Sequence, residues 1–361
     1  MTPFRIAIDA RMINASGIGT YLQGLLEGIQ SQSRPDFSFK LLGDLKRLPS
    51  GPWTTRAACS KIYSLAEQLE IPWAARGEKA TLVHAPHYNM PCLLASRTVV
   101  TVHDVIHLKF PQYWPSVAAR AYARFFFSRV IPKARVILTV SENTKRDLVE
   151  MLAIPAERII VTYPAISHVR FQSPDPGLLP EFEALSLPHP YLLYVGNLKQ
   201  FKNVERLVNV HQRLWASKKV PPLVLVGRNF ILGFDRRLAQ AEGIRWLGEV
   251  RPALLPWLYK QALAFLFPSL YEGFGLPPLE AMASGTPVLC SNRASLPEVV
   301  GDAALMIDPE NIEEMAAALG RLVEDDALRK GLAAKGLMQA QRFSWDQMAE
   351  RTLRVYRDCL S

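Results

Sequence analysis

Residues 263–291 read LAFLFPSLYEGFGLPPLEAMASGTPVLCS, a strand, a loop, a helix and a second strand in one line. The run 263–268 is apolar throughout, which suits a parallel strand covered on both faces. It enters a loop holding Gly273 and Gly275, after which Pro277 and Pro278 open a helix over 277–284. Proline in a first helical turn gives up no hydrogen bond and pre-sets the backbone. The glycines let the chain approach a ligand closely and turn the N–H groups of Phe274, Gly275 and Leu276 outward. A helix N-terminus favours an anion such as a diphosphate. Glu272 and Glu280 flank that position, and a carboxylate accepts from two neighbouring hydroxyls, so they suit sugar or ribose better than phosphate. On the residues alone, Glu280 can equally be a helix-dipole partner and Glu272 a loop surface residue.

The same alternation extends in both directions. Strands are expected at 191–196, 223–227, 244–248, 286–291 and 304–308, with helices at 203–217, 252–261, 311–323 and 326–340. The first half repeats the rhythm with strands at 5–10, 39–43, 81–85, 97–103, 136–140 and 159–163. Its helices are expected at 19–31, 61–70, 115–131 and 143–152, the last capped by Ser141. Between the halves, 171–190 carries Pro174, Pro176, Pro180, Pro188 and Pro190 and reads as a linker. Two βα series in tandem predict an α/β protein of two Rossmann-like, doubly wound parallel sheets. The expected domains are 1–170 and 191–342, with a terminal helix in 343–361 packing back on the first. Ligands bind beyond the carboxyl ends of such strands, so the cleft between domains is the expected site.

The 361 residues carry a formal charge of +9. Residues 1–170 hold 21 Lys and Arg against 12 Asp and Glu, whereas the remainder is balanced at 21 and 21. A basic half suggests a membrane surface, a nucleic acid or an anionic substrate; a generally basic proteome is the plainer alternative. Residues 115–135 contain five basic residues, Phe125-Phe126-Phe127 and no acid. Arg120 and Arg124 share a helical face but Arg129 falls opposite, so the stretch is either a peripheral lipid attachment or a core helix with scattered arginines. No nucleic-acid recognition motif accompanies the charge. No apolar run spans a bilayer, the start leaves no room for a signal peptide, and four scattered cysteines argue against disulfides or zinc. A cytoplasmic enzyme, peripheral on the inner face of the plasma membrane, is the expectation. Signatures of P-loop enzymes, α/β-hydrolases and zincins are absent, as is an Asp-x-Asp pair for a divalent metal.

The Glu-x7-Glu spacing from Glu272 to Glu280, within 267–309, resembles retaining glycosyltransferase family four. The resemblance extends to Ile8-Asp9-Ala10-Arg11 with Gly17-Ile18-Gly19, Val102-His103-Asp104, Val140-Ser141-Glu142, and Tyr194-Val195-Gly196 with Lys202-Asn203. It implies the GT-B fold, its two domains facing across a cleft, with the second holding a nucleotide-sugar donor and the first the acceptor. It implies further that Glu272 touches the donor sugar, that Glu280 holds the ribose, and that backbone at Phe274, Gly275 and Leu276 binds sugar and phosphate. Lys202 matches a diphosphate-binding lysine, and Gly17, Gly19, Gly196, Arg228 and Val250 fall at donor-binding positions. His103, at the end of an apolar strand, is implied to meet a sugar hydroxyl or departing phosphate; His84, His87 and His107 have no such support. Phe201 departs from the basic residue usual before the lysine, with Lys199 as a candidate substitute. Thr20 stands where members often carry Arg, and Leu22 replaces the third glycine of a dinucleotide fingerprint.

The implied chemistry is metal-independent, retaining front-face transfer without a resident cofactor, the leaving phosphate helping to deprotonate the acceptor. The pattern is most similar to bacterial mannosyltransferases of surface-polysaccharide assembly, implying GDP-mannose and a saccharide or lipid-linked acceptor. UDP-glucose, UDP-N-acetylglucosamine and a dTDP-deoxysugar remain open as donors. A sugar-nucleotide epimerase of the same fold and a non-catalytic sensor are the alternative classes.

Overall fold

A computed structural model describes residues 3–32, 34–113 and 116–360; Pro115, which opens the basic aromatic stretch, and Ser361, which ends the terminal segment, lie outside them. The chain forms two compact units, Met1–Ala165 with Ser344–Ser361, and Ile166–Phe343. The first is built on seven strands: β1 (Phe4–Asp9), β2 (Phe37–Gly43), β3 (Trp53–Ala57), β4 (Leu82–Ala85), β5 (Thr98–Val102), β6 (Val136–Thr139) and β7 (Ile159–Val161). They lie in the order β3-β2-β1-β4-β5-β6-β7, every pair parallel. The second unit carries β8 (Leu192–Val195), β9 (Leu223–Val226), β10 (Ile244–Trp246), β11 (Ala264–Phe267), β12 (Val288–Ser291) and β13 (Ala304–Ile307). Their order is β10-β9-β8-β11-β12-β13, again parallel throughout. Both are Rossmann-like sheets. The central strands are fully buried, which is why their sequences are apolar runs instead of alternating patterns.

Strand β3 has no counterpart among the expected elements. Its sequence WTTRA is mostly polar and largely exposed, because an edge strand needs apolar residues on little of its surface. The helix expected over 61–70 instead spans Glu67–Gly77, with Pro72 inside it. Proline there forgoes one intrahelical bond, offset by burial beside Ile71, Ala74 and Ala75. The stretch read as one helix over 115–131 breaks after Val117–Phe125 into a wide turn at Phe126–Val130 and a tight one at Ile131–Lys133. The change of pitch buries Phe126 and Phe127 and leaves Phe125 half exposed, so the three phenylalanines do not form one patch. Residues 171–190 are not a bare linker. They contain the end of His168–Gln172, then Pro176–Leu178 and Leu179–Glu183, and belong to the second unit. Pro176 and Pro180 occupy first turns, where proline starts a helix instead of stopping one. Ser141 caps Glu142–Leu152, accepting the Thr144 N–H at 3.0 Å.

Helix Trp345–Leu360 completes the first unit. It lies against Ser16–Gln30, which buries Tyr21, Leu22, Leu25, Leu26 and Ile29 at helical spacing. Gly24 permits the approach: a Cβ there would stand 2.3 Å from the Trp345 ring. Further along, the Tyr356 hydroxyl meets Nδ1 of His84 at 2.5 Å, while Nε2 of His84 meets Thr101 at 2.8 Å. Burial pushes the His84 pKa down to about 3, so it is a neutral structural bridge at physiological pH. By unit, the first carries 23 basic and 15 acidic residues and the second 19 and 18, so the basic excess belongs to the first. Among the described residues no helix is long and apolar enough to cross a membrane.

Gly24→Ala forces its methyl into Trp345 and is expected to destabilise the first unit by about 1–3 kcal/mol. Gly320→Ala, where a Cβ meets nothing, serves as the control and should hold or raise the melting temperature. Calorimetric melting of both variants checks the contrast.

Candidate active site

In the second unit the segments beyond the carboxyl ends of β8 and β11 deliver a closely paired lysine and glutamate. Beyond β8, after Gly196, the chain makes a tight turn at Gln200–Lys202, and Asn203, in the left-handed region, starts helix Val204–Ala216. Asn203 is fixed there by donating to the Pro309 carbonyl at 2.7 Å. Beyond β11 the loop 268–275 folds back to this turn, the Leu270 N–H donating to the Phe201 carbonyl at 2.8 Å. These ties set the Lys202 ammonium between both carboxylate oxygens of Glu272, at 2.5 and 2.7 Å. The two side chains are only 17% and 11% exposed, so the pair is strong but partly desolvated.

Phe201 occupies the place of the expected second cation. Its ring lies 5.3 Å from the Lys202 ammonium and 5.7 Å from that of Lys199, so the aromatic face gathers both lysines. The loop itself is shaped by Ser295, a fully buried residue that the sequence reading passed over. Its hydroxyl lies within reach of the Glu272 carbonyl at 3.0 Å and the Phe274 carbonyl at 2.7 Å. Ser295-Leu296-Pro297-Glu298 has the outline of a helix capping box, which disguises this contact. Gly275 has φ of +114° and would press a Cβ to 2.8 Å from Leu296. It precedes helix Leu276–Ala283, whose next two residues are Pro277 and Pro278. Because prolines carry no N–H, the open donors of this helix start are concentrated at Gly275 and Leu276.

Glu280 sits one turn further along the helix, half-buried. It accepts a 2.8 Å hydrogen bond from Tyr259, a fully buried residue on Leu255–Gln261 that no sequence pattern marks. Burial raises the Glu280 carboxyl above its ordinary range, and the Tyr259 hydroxyl works against that rise. Arg228 and Val250 follow β9 and β10. Arg228 is exposed and 3.7 Å from Glu249, both lining a recess of about 580 Å³ with Phe230 and Trp246.

The first unit places His103 directly after β5. Its Nε2 lies 2.8 Å from the Pro86 carbonyl, so this nitrogen carries the hydrogen and Nδ1 is left as an acceptor. Burial lowers its pKa, and the Tyr21 ring meets it edge-on at 4.9 Å. A neutral ring with an accepting Nδ1 suits a sugar hydroxyl better than a phosphate. Gly17 and Gly19 are in the first turn of Ser16–Gln30 and not in an open loop; Gly19 already donates to the Ala15 carbonyl.

Sequence reading missed the buried group nearby. Glu67, 1% exposed, accepts from Arg11 at 3.0 Å, Asn89 at 2.9 Å, Tyr122 at 3.0 Å and the Tyr63 N–H at 3.0 Å. Arg11 also grips Asp9. Burial opposes the Arg11 charge, but Asp9 and Glu67 outweigh it and raise its pKa. His87 meets Tyr63 at 2.8 Å, within an aromatic group that includes Tyr88. Among the described residues no cluster of three or more His, Cys, Asp or Glu is arranged to hold a metal.

Comparison with known proteins agrees on the kind of molecule. Residues 29–170 match the family model described as Glycosyltransferase Family 4, and residues 180–337 that described as Glycosyl transferases group 1. The chain is 34% identical over 335 residues to O-antigen chain mannosyltransferase B of Escherichia coli, covering 91% of this chain and 85% of that one. It is 28% identical over 267 residues to the serotype-specific mannosyltransferase WbdA of the same organism, covering 70% of this chain but 32% of the longer relative. The solved structure of a sucrose-phosphate synthase from Thermosynechococcus elongatus superposes with a TM-score of 0.79 at 20% identity, covering 99% of both chains.

Tyr259→Phe removes the donor that holds the Glu280 carboxylate, so the Glu280 titration should move to higher pH. Carboxyl-carbon NMR across an acid titration of wild type and variant checks the direction.

Proposed function

The chain belongs to the family 4 glycosyltransferases, and we propose that within this family it moves a mannosyl group from GDP-mannose, with retention, to a saccharide or lipid-linked acceptor of a cell-surface polysaccharide. The observation that carries the reading is the Lys202–Glu272 pair beside the open N–H groups of Gly275 and Leu276. In this reading the donor diphosphate takes Lys202 and the helix start, and Glu272, released, accepts from sugar hydroxyls. Glu280, steadied by Tyr259, accepts from the ribose. His103 accepts a sugar hydroxyl through Nδ1. As the glycosidic bond breaks, charge on the leaving phosphate is met by Lys202, with Lys199 beside it, and by backbone dipoles. The acceptor hydroxyl attacks from the same face and its proton passes to the leaving phosphate, so no protein nucleophile is needed. No Asp-x-Asp pair is present to carry a divalent metal, which supports a metal-independent reaction. The mannosyl assignment is supported by the mannosyltransferases to which the chain is similar, and an anionic membrane surface is the proposed setting on the strength of the basic first unit.

The discriminating experiment offers GDP-mannose, UDP-glucose, UDP-N-acetylglucosamine and a dTDP-deoxysugar with and without acceptor, in the presence of EDTA. Acceptor-dependent mannosyl transfer is expected; turnover without acceptor to an epimerised sugar nucleotide would sink the reading.

Glu280→Ala should raise the donor KM about 10- to 100-fold, whereas His103→Ala should act mainly on kcat. Glu272→Gln should tighten free GDP binding several-fold, roughly the relief from one competing partly buried ion pair, while depressing kcat. Calorimetric GDP titration and steady-state kinetics read the two effects separately.

A further inference from the structure

Large apolar residues exposed singly are ordinary, but a helical stripe of them is not. Leu65, Leu69 and Trp73 recur at every fourth residue along helix Glu67–Gly77 and the turn before it, and are 87%, 69% and 68% exposed. The other side of the helix, with Ile71, Ala74 and Ala75, is packed in the core. Leu93, on a turn whose Cys92 N–H donates to Gln68, is 65% exposed. Helix Val117–Phe125, tied to Glu67 through Tyr122, repeats the pattern: Val117 and Phe125 are 72% and 52% exposed two turns apart, on a helix with no acid.

The exposed charges of residues 59–80 are all basic. Lys61, Arg76 and Lys79 are exposed beside it. Every acid between residues 59 and 80 is already committed. Glu67 is buried on Arg11, Glu70 accepts the Cys59 and Ser60 N–H groups, and Glu78 pairs with Lys40 and Arg56. Arg56 also lies 4.6 Å over the Trp73 ring. Apolar side chains rimmed by exposed cations, the nearby carboxylates being turned to partners of their own, match the boundary of an anionic bilayer, where tryptophan is favoured and lysine and arginine reach lipid phosphates.

We propose that this face of the first unit docks on an anionic lipid surface, Leu65, Leu69 and Trp73 entering the headgroup boundary and Lys61, Arg76 and Lys79 meeting its phosphates. The inference rests on the membrane reading above and gives it a surface other than the 115–135 stretch alone. The test is flotation of the full chain with phosphatidylcholine vesicles, with and without phosphatidylglycerol. Wild type should float with the anionic vesicles only and be released by salt. Leu65→Ser/Leu69→Ser/Trp73→Ser, and separately Lys61→Glu/Arg76→Glu/Lys79→Glu, should each cut the bound fraction about tenfold or more. Transfer to a water-soluble acceptor should be unchanged in both variants, which also reports their folding. Undiminished flotation of the serine variant would overturn the surface and spare the membrane reading. No flotation of wild type would discard both. Dimers in sedimentation that the serine variant abolishes, without flotation, would assign the face to a second copy.

Discussion

A parallel strand cannot return to its neighbour through a tight turn. Each must be followed by a crossover, so every strand of a sheet ends at the same edge. In the second unit this single constraint brings Lys199–Asn203 after β8, Arg228 after β9, Glu249 after β10 and Glu272 after β11 to one side of the sheet. In the first it does the same for Asp9–Arg11, Pro86–Asn89 and His103. The apolar strands behind them cannot satisfy polar groups, so the charges at each edge must satisfy one another or wait for a ligand.

The two units resolve that demand differently. Around Glu67, each oxygen is occupied and the partners come from four segments; removing one would strand a desolvated charge, so the group acts as a fixed joint. Lys202 and Glu272 form a two-membered pair on flexible side chains. A phosphate can replace the carboxylate and sugar hydroxyls can replace the ammonium, so both charges remain satisfied through the exchange. A buried network that is complete within itself builds structure, whereas a pair that can trade partners suits binding.

Sequence legibility followed burial. The four central strands of the second unit were readable because each is covered on both faces and spelled as an apolar run, the half-exposed edge strands β10 and β13 were placed by the alternation around them, and Glu272, Glu280 and Lys202 were marked by motif spacing. What was missed depends on contacts between distant segments. Trp53–Ala57 is a strand only because Phe37–Gly43 offers it a parallel edge. Pro72 reads locally as a stop, yet tertiary burial carries the helix through it. Ser295 and Tyr259 shape the site across separations of more than twenty residues, through one hydroxyl each, and a hydroxyl's target leaves no mark on its neighbours. Glu67 was hidden among surface-like charges because its four partners are spread from residue 11 to residue 122.

The helix Trp345–Leu360 has a consequence for biogenesis. It packs on Ser16–Gln30 and supplies the tyrosine that partners His84, yet the ribosome makes it only after the whole of Ile166–Phe343. During synthesis the first unit therefore waits with its Gly24 seam uncovered and the Nδ1 of His84 without its tyrosine, while the second can close on its own. Vectorial folding would finish the later-made unit before the earlier one, leaving the nascent first unit as the segment that a chaperone must shield.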